Sequence, residues 1–245
     1  MKCIILAAGY ATRLYPLTEN YPKPLLTVGE KTIIDWLTDD VSPMTEEFIV
    51  VSNHRFYGHF RDWAAAKTAR ENIAVTVLDD GTESNETRLG AVRDIQLAAG
   101  AADDDCLVMA GDNVLDFSLR RFIRYALEKK TACVMCHEED RLAALQKTAV
   151  VTVDRDGLIT SYEEKPREPK GHLAVPPFYF YRACDLKRIG EALDAGCGAD
   201  APGSFAAWLS RQVPMHAFPM PGHRYDIGDM QSYQHIRETY RGILE

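Results

Sequence analysis

The sequence predicts an α/β fold, with helices on both faces of a mixed, mainly parallel central sheet. In the first half of the 245-residue chain, short apolar runs alternate with amphipathic segments. This alternation is typical of parallel strands joined by helices, which bind ligands at the carboxyl ends of the strands. In the second half, apolar runs follow one another across short turns such as Asp154-Arg-Asp-Gly157, which predicts inserted β-hairpins. Since no linker or repeat separates the halves, we expect a single domain over residues 1–245.

The elements of the first half follow from the period of their apolar residues. Buried strands are expected where a short apolar run lacks the period of a helix, namely at Cys3–Ala8, Glu47–Ser52, Ile73–Leu78, Cys106–Ala110 and Thr131–His137. Helices are expected where apolar residues recur every three or four positions, namely at Thr32–Asp40, Phe56–Ala69, Thr87–Ala99 and Phe117–Lys129.

The second half changes this rhythm before returning to helices. Three strands are expected in close succession, at Ala149–Val153, Leu158–Glu164 and Ala174–Tyr181. Three helices then follow, at Cys184–Ala195, Phe205–Gln212 and Met230–Gly242.

The charge balance argues against two classes of partner. The chain has 28 Lys and Arg against 36 Asp and Glu, a net charge of −8, and no basic stripe. We therefore expect neither nucleic acid nor a membrane as a partner. No apolar stretch approaches transmembrane length and no targeting signal is recognisable, so a soluble, cytoplasmic protein is expected.

Six cysteines raise the question of metal or disulfides. Cys133 and Cys136 form a C-x-x-C, but they lie in an apolar, strand-like run. No second C-x-x-C completes a zinc site. We expect six reduced thiols, most of them buried.

The N-terminal segment carries the strongest functional signal. At the end of its apolar run and just beyond it lie the small residues Ala7, Ala8, Gly9 and Ala11, which let backbone N–H groups approach a ligand. A hydroxyl and two cations follow, from Thr12, Arg13 and Lys23, and together these groups suit a polyphosphate. A dinucleotide fingerprint would need glycine in place of Ala11 and Leu14, and a P-loop would need G-K-[ST], so neither is indicated.

This segment resembles the signature of the sugar-1-phosphate nucleotidylyltransferase family, G-x-G-T-R-L-x-P-L-T followed by P-K-P-L. It reads GYATRLYPLT and YPKPLL, with Ala11 in place of the second glycine. Three later stretches, LVMAGDN, SYEEKP and RYDIGDMQSY, resemble the family's remaining motifs in the required order. The resemblance thus covers nearly the whole chain and implies a Rossmann-like, three-layer nucleotidyltransferase fold.

The resemblance also implies site residues. Asp112 and Asp226 would be ligands of Mg²⁺, and the catalytic residues would be Arg13 on the leaving pyrophosphate, Lys23 near the α-phosphate and Lys165 on the acceptor phosphate. Nucleotide binding is expected at Leu6, Ala7, Ala8, Gly9, Thr12, Arg13, Lys23, Asn85, Gly90 and Asp112. Acceptor binding is expected at Glu164, Lys165 and Tyr179. Asp229 is interpreted as the N-cap of the last helix.

Two stretches depart from the family. Where the family reads the base with Gln or Ala/Gly followed by G-L-A, the chain has GTESNETRLGAV, so Asn85 and the backbone near Gly90 become the candidates. A side-chain amide serves uracil, thymine or cytosine equally well. In the acceptor region, S/T-G-x-Y-x-F is replaced by VPPFYF, in which Pro176 and Pro177 add bulk and remove two backbone donors.

The leading hypothesis is a Mg²⁺-dependent enzyme that moves a nucleoside monophosphate from a nucleoside triphosphate to a phosphorylated small molecule, releasing pyrophosphate. The default acceptor is a hexose 1-phosphate and the default group thymidylyl or uridylyl. The alternative is CTP-dependent activation of phosphocholine or a similar phospho-alcohol, because an Asn in the base region is similar to choline-phosphate cytidylyltransferases of the same fold. A non-catalytic nucleotide-sensing domain is disfavoured because Asp112, Lys165 and Asp226 are all present. The sequence leaves homo-oligomer formation open.

Overall fold

The elements alternate as expected in a computed structural model that describes residues 1–243. Its strands are β1 Lys2–Leu6, β2 Thr27–Val28, β3 Lys31–Thr32, β4 Glu47–Ser52, β5 Ala74–Asp79, β6 Cys106–Ala110, β7 Asn113–Leu115, β8 Ala132–Glu138, β9 Ala149–Val153, β10 Ile159–Glu164, β11 Leu173–Val175, β12 Phe178–Tyr181, β13 Met215–Pro219 and β14 Arg224–Asp226. Its α-helices are α1 Ile33–Val41, α2 Tyr57–Glu71, α3 Ala91–Ala99, α4 Arg120–Lys129, α5 Leu142–Leu145, α6 Ala183–Leu186, α7 Ile189–Asp194, α8 Gly203–Leu209 and α9 Met230–Thr239.

The chain divides into two compact units. The first unit contains Met1–Leu89, Ala110–Arg120 and the described residues from Pro221 to 243, and the second unit contains Gly90–Met109 and Arg121–Met220. The expectation of one domain over residues 1–245 stays a prediction.

The first unit is built on parallel strands. β4 pairs in parallel with β1 and with β5, so that Leu6 lies opposite Val51 and Val51 opposite Leu78. The side chains of β4 from Phe48 to Ser52 are all buried, which explains its unbroken apolar sequence. The loops after these strands therefore start from the same edge of the unit.

An antiparallel strand pair and the last helix complete the first unit. β14 pairs with β7, and Asp226 lies opposite Asn113. On α9, the Tyr233 hydroxyl donates to the Thr27 carbonyl oxygen at 2.9 Å, and the nearby Tyr240 hydroxyl donates to that of Leu115 at 2.6 Å. Tyr233 and Tyr240 thus bind segments that lie far from them in sequence.

The second unit is a mixed sheet with short helices. β12 pairs antiparallel with β6 and β8, β13 pairs parallel with β8, and β11 pairs antiparallel with β8 and β9. β9 and β10 form the expected hairpin, whose turn contains Gly157 at φ 81°. The predicted fold class, a Rossmann-like α/β fold with a mixed sheet and inserted hairpins, is confirmed.

Two predicted elements of the second half are each split in two. The single strand Ala174–Tyr181 is wrong, because Pro176 and Pro177 have no backbone N–H to pair, and the Phe178 N–H donates to the Pro176 carbonyl oxygen at 2.7 Å. The chain consequently leaves β11 and starts again as β12. The single helix Cys184–Ala195 is also wrong, since α6 and α7 replace it.

The predicted helix Thr87–Ala99 begins only at Ala91. Thr87 belongs to a turn instead, in which its N–H and hydroxyl both donate to the Ser84 carbonyl oxygen, at 3.2 and 3.1 Å. Gly90, at φ 92°, is the last residue before the helix. Its α-carbon faces the Ala199 carbonyl, and an added Cβ would lie 2.6 Å from that oxygen, so only glycine fits.

Other ends differ by a few residues. The strand expected at Cys3–Ala8 ends at Leu6, and the helix expected to start at Phe117 starts at Arg120. The helix expected to run to Gly242 ends at Thr239. Local hydrogen bonds that no periodic pattern reveals decide such positions.

All six cysteines are free thiols, as expected, and Cys3, Cys106, Cys133 and Cys136 are buried. Burial raises the pKa of Cys133 and of Cys136 to about 11. Within residues 1–243, no three His, Cys, Asp or Glu side chains gather as a metal cluster. None of the helices in that range is both long and apolar enough to cross a bilayer.

Candidate active site

Three buried side chains hold the loop that follows β1. Asn53 Nδ2 donates to the Ala8 carbonyl oxygen at 3.0 Å, and Thr18 Oγ1 donates to that of Ala11 at 2.8 Å. The hydroxyl of Tyr10, a member of the loop, donates to the Thr82 carbonyl oxygen at 2.9 Å. The sequence analysis missed these roles, although Thr18 closes the GYATRLYPLT signature. The loop is therefore pre-shaped by hydrogen bonds within the first unit.

Ala11 adopts a left-handed backbone conformation, with φ 45° and ψ 43°. This conformation costs a residue with a Cβ roughly 1–2 kcal/mol. This cost explains why the resembled signature has glycine at this position, and why this chain has alanine, whose side chain is the smallest after that of glycine. A 3₁₀ helix, Thr12–Leu14, follows at once and buries Leu14, whereas Arg13 remains exposed.

Asp112 is held through both carboxylate oxygens. Lys23, a buried residue that begins the 3₁₀ helix Lys23–Leu25, donates from Nζ to Asp112 Oδ2 at 2.7 Å. Asn113 Nδ2 donates to Asp112 Oδ1 at 3.2 Å. The turn lies close to β1, because the Gly111 N–H donates to the Leu6 carbonyl oxygen at 2.9 Å. An added Cβ on Gly111 would lie 2.9 Å from Ile5 Cγ2, too close for any other residue.

Asp226 is positioned by the β7–β14 pairing. It lies opposite Asn113, whose Oδ1 accepts from Arg224 Nη1 at 2.9 Å. The next residue, Ile227, is buried and anchors the chain beyond Asp226. Asp229 then caps α9, since its Oδ1 accepts from the Ser232 N–H at 2.8 Å, which confirms the predicted N-cap.

A cavity of about 410 Å³ in the first unit brings most of the predicted nucleotide residues together. Its wall contains Leu6, Ala7, Gly9, Thr12, Arg13, Lys23, Asn85, Asp112 and Asp226 from the predicted set. It also contains Ala11, one of the small residues expected to admit a ligand, and residues that were not predicted, namely Tyr10, Leu14, Pro24, Arg88, Ile227 and Gly228. Of the predicted set, Ala8 and Gly90 are not in this wall in the described part of the chain, and their nucleotide roles stay predictions.

Arg88 is the main functional candidate that the sequence analysis missed. Its Nη1 donates to Asn85 Oδ1 at 3.2 Å, and both side chains line the cavity. The available signal was a cation three residues after the proposed base reader. The cavity thus gathers three cations, Arg13, Lys23 and Arg88, which is an arrangement suited to a triphosphate.

The donor set of the cavity is compatible with Mg²⁺. Asp112 and Asp226 both contribute carboxylate oxygens, the hard donors that this ion prefers.

A second cavity, of about 230 Å³, lies in the second unit and contains all three predicted acceptor residues, Glu164, Lys165 and Tyr179. Glu164 ends β10, and its Oε2 is buried with no hydrogen-bond partner among the described residues. Burial raises the pKa of this carboxyl. Gly203 lies so close that any side chain there would collide with Oε2. An unpaired, buried carboxyl oxygen is costly unless a ligand supplies the missing donor.

Lys165 adopts a left-handed conformation, with φ 47°. Its N–H donates to the Thr148 carbonyl oxygen at 3.1 Å, and Thr148 Oγ1 donates to the Val175 carbonyl oxygen at 3.0 Å. Such strain in a residue other than glycine is concentrated at functional sites. Pro177, from the stretch that departs from the family, also lines this cavity.

Curated relatives of the chain include proteins named as glucose-1-phosphate adenylyltransferases and uridylyltransferases. A glucose-1-phosphate adenylyltransferase from Fervidobacterium nodosum is 24% identical over 246 residues, which cover 94% of this chain and 59% of the relative. A UTP–glucose-1-phosphate uridylyltransferase from Haloferax volcanii is 26% identical over 211 residues, covering 79% of this chain and 82% of the relative. The chain thus spans less than two thirds of the adenylyltransferase.

A solved structure shows the same fold. It is a Bacillus anthracis protein assigned as a glucose-1-phosphate thymidylyltransferase, in complex with a sucrose. The TM-score is 0.84 at 23% identity, with 100% of this chain and 97% of the other covered.

The family match extends over nearly all of the chain. The profile described as nucleotidyl transferase matches residues 2–242. Together with the named relatives, it confirms the predicted resemblance to sugar-1-phosphate nucleotidylyltransferases. The chain therefore belongs to the nucleotidyl transferase family.

Proposed function

We propose that this protein transfers a nucleoside monophosphate from a nucleoside triphosphate to a hexose 1-phosphate and releases pyrophosphate. The observation that carries the proposal is the first cavity, where Arg13, Lys23, Asp112 and Asp226 converge from four separate segments of the chain. Cations and carboxylates in one wall are what a metal-bound triphosphate requires.

The transfer needs no nucleophile from the protein. A phosphate oxygen of the acceptor attacks the α-phosphorus in line, the new P–O bond forms, and the bond to the β-phosphate oxygen breaks. Pyrophosphate then leaves with the bonding electron pair. The protein accelerates this step by holding the reactants and by neutralising charge that develops in the transition state.

Each cation has a distinct proposed task. Arg13, exposed in the cavity wall, holds the β- and γ-phosphates of the leaving group. Lys23 holds the α-phosphate region and at the same time orients Asp112 through the 2.7 Å hydrogen bond. In the second unit, Lys165 holds the acceptor phosphate, and Glu164 accepts a hydrogen bond from an acceptor hydroxyl.

Mg²⁺ is part of the proposal. Asp112 and Asp226 would hold the ion, which supplies charge neutralisation at the phosphate oxygens. The hydrogen bonds from Lys23 and Asn113 fix the orientation of the Asp112 carboxylate.

A phospho-alcohol is the second candidate acceptor, with CTP as its donor. Pro177 in the wall of the 230 Å³ cavity favours it, because the proline ring adds rigid bulk to the wall and leaves less room for a sugar ring. The proposed action remains nucleotidyl transfer in both cases.

The test is a pyrophosphate-release screen of ATP, CTP, UTP and dTTP against a panel of sugar 1-phosphates and phospho-alcohols. We expect turnover with at least one hexose 1-phosphate, dependent on Mg²⁺ and abolished by chelator. Turnover with phospho-alcohols alone would select the second candidate. If no acceptor of the panel gave rise to pyrophosphate release, the proposed transfer would be refuted.

A further inference from the structure

We propose that Arg224 is a positioning residue for the metal site, acting on the Asp112 carboxylate through Asn113. The inference rests on the proposed function, because it takes Asp112 and Asp226 to be the ligands of Mg²⁺. Arg224 lies outside the set of residues expected from the resemblance, and among the described residues it is not in the wall of the first cavity. Its effect on the metal is therefore indirect.

Asn113 has a hydrogen-bond partner for each group of its side-chain amide. The residue is buried, with 3% of its surface exposed. Its Nδ2 donates to the Ala110 carbonyl oxygen and to Asp112 Oδ1, both at 3.2 Å. Its Oδ1 accepts from Arg224 Nη1 at 2.9 Å, which is the shortest of the three contacts. The amide thus uses both N–H donors and its acceptor at once.

The chemistry of the three partners permits only one orientation of this amide. A carbonyl oxygen and a carboxylate accept hydrogen bonds and must face Nδ2, whereas a guanidinium donates and must face Oδ1. Arg224 is the partner that holds the oxygen side. Without the guanidinium, the buried Oδ1 loses its donor, and an unsatisfied buried acceptor is costly. The amide is then expected to leave this position, and Asp112 Oδ1 loses the donor that orients it.

Arg224 itself is held on both sides along β14. Asp116, which follows β7, accepts at Oδ1 from the His223 N–H at 2.6 Å and at Oδ2 from the Tyr225 hydroxyl at 3.2 Å. Gly222 lies so close that an added Cβ would be 2.4 Å from Asp116 Oδ1. These contacts supplement the pairing of two strands that have three residues each. The guanidinium therefore extends from a braced backbone.

The sign of the effect separates positioning from direct electrostatics. Arg224 and Asp226 are two residues apart on one strand, so their side chains lie on the same face. A positive charge near a cation site opposes binding of the cation, and removal of that charge alone should strengthen metal binding. Loss of a positioning contact should weaken it instead, because hydrogen bonds that support metal ligands are typically worth about ten-fold or more in affinity.

The experiment titrates Mn²⁺ alone into the full chain and follows the free ion by electron paramagnetic resonance. Arg224→Met keeps an unbranched apolar stem but has no donor, and it should weaken Mn²⁺ binding by about ten-fold. The same variant should raise, by a similar factor, the Mg²⁺ concentration that gives half-maximal pyrophosphate release. Arg224→Lys retains a donor for Asn113 Oδ1 and should largely restore both values.

A second set of variants tests the route through Asn113. Asn113→Ala removes the intermediate side chain and should weaken Mn²⁺ binding as Arg224→Met does. Adding Arg224→Met to Asn113→Ala should cause little further loss, because both changes interrupt the same contact. Arg237→Met, at an exposed position on α9, is the matched control and should change neither value. Thermal unfolding shows whether each variant is folded, and if Asn113→Ala is not, the direction of the change in Arg224→Met decides.

Parental or tighter Mn²⁺ binding by folded Arg224→Met overturns the inference, as does an additive loss in the double variant. A parent that neither binds Mn²⁺ nor needs Mg²⁺ for turnover also overturns it. If the parent binds Mn²⁺ too weakly to measure, the Mg²⁺ dependence of the rate decides by the same criteria.

Mn²⁺ binding is measured without nucleotide or acceptor, so its outcome is separable from that of the proposed function. Weaker Mn²⁺ binding in Arg224→Met, together with a parent that shows no turnover in the pyrophosphate screen, would refute transfer alone. Turnover with unchanged Mg²⁺ dependence in Arg224→Met would refute the role of Arg224 alone.

Discussion

Asp226 stands directly opposite Asn113 in the antiparallel ladder of β7 and β14. Asn113 is the residue that follows Asp112 in the chain. The two proposed metal carboxylates, which are far apart in sequence, are thus brought together by backbone pairing. Sites built on paired strands are held more precisely than sites on loops. In the same pair of strands, Arg224 Nη1 donates to Asn113 Oδ1 at 2.9 Å. Asn113 in turn orients Asp112 by donating to its carboxylate.

Asp112→Asn and Asp226→Asn should each lower kcat by about a hundred-fold or more, because each removes one charge that the proposed metal needs. Steady-state pyrophosphate release with saturating substrates checks this result. The matched control is Asp229→Asn, since asparagine is an equally good N-cap and this carboxylate serves α9. A normal rate in either test variant would remove that residue from the metal site.

Arg13→Ala and Lys165→Ala should separate the two substrates. Loss of Arg13 should raise KM for the nucleoside triphosphate or lower kcat, whereas loss of Lys165 should chiefly raise KM for the acceptor. Arg237→Ala, at an exposed position on α9, serves as the control. Equal defects toward both substrates in both variants would contradict the assignment.

Thr18→Val should impair nucleotide binding through the loop after β1. The substitution keeps the shape of the side chain but removes the donor to the Ala11 carbonyl oxygen, at a cost of about 1–3 kcal/mol in the free energy of unfolding. We expect a higher KM for the nucleoside triphosphate as well.

Thr38→Val is the matched control for this experiment. Thr38 is equally buried and donates to the Ile34 carbonyl oxygen at 2.9 Å, within α1. It should lose stability without a change in KM. If Thr18→Val also left KM unchanged, its hydrogen bond would be structural only.

Glu164→Gln should change how stability depends on pH. Burial raises the pKa of the folded Glu164 carboxyl above its ordinary 4.5, so the folded state binds more protons than the unfolded state as the pH rises from 4.5 through that raised pKa. The free energy of unfolding therefore falls with rising pH across this window. The variant removes this component and should be more stable than the parent above the window.

Urea unfolding at a series of pH values, in parent and variant, measures the difference. Asp80 and Asp185, whose pKa values burial also raises, contribute to both proteins and cancel in the comparison. A parallel pair of curves would show that Glu164 ionises as easily in the folded protein as in the unfolded one.

Periodicity and motifs predicted much of this molecule, and tertiary contacts account for the remainder. The short apolar runs predicted β4 and β8 correctly, because both strands are buried almost throughout. The periodic pattern also predicted that α3 begins at Thr87. It does not reveal the Ser84–Thr87 turn or the close approach of Ala199 to Gly90, which delay the start of the helix. Short strands such as β7 and β14 carry too few residues for a periodic signal.

The site shows a similar division. Arg13, Lys23, Asp112 and Asp226 follow from motifs, and the structure gathers them in one wall. The supporting residues Asn53 and Asn113 lie outside the predicted set, because their role depends on a partner remote in sequence or on the direction of a side chain. The place of Arg88 in the cavity wall was likewise not predicted, because it depends on the direction of the side chain.

The break between β11 and β12 has a consequence for how the second cavity chooses its ligand. Pro176 and Pro177 have no N–H, and the N–H of Phe178 is already bonded to the Pro176 carbonyl oxygen. Three successive positions therefore offer an incoming molecule no main-chain donor. The two rings also restrict rotation of this segment, so little conformational entropy remains to be lost when a ligand docks. If this cavity holds the acceptor as proposed, we expect the rigid segment at Pro177 to disfavour bulkier analogues by shape, in addition to the polar contacts of Lys165 and Glu164.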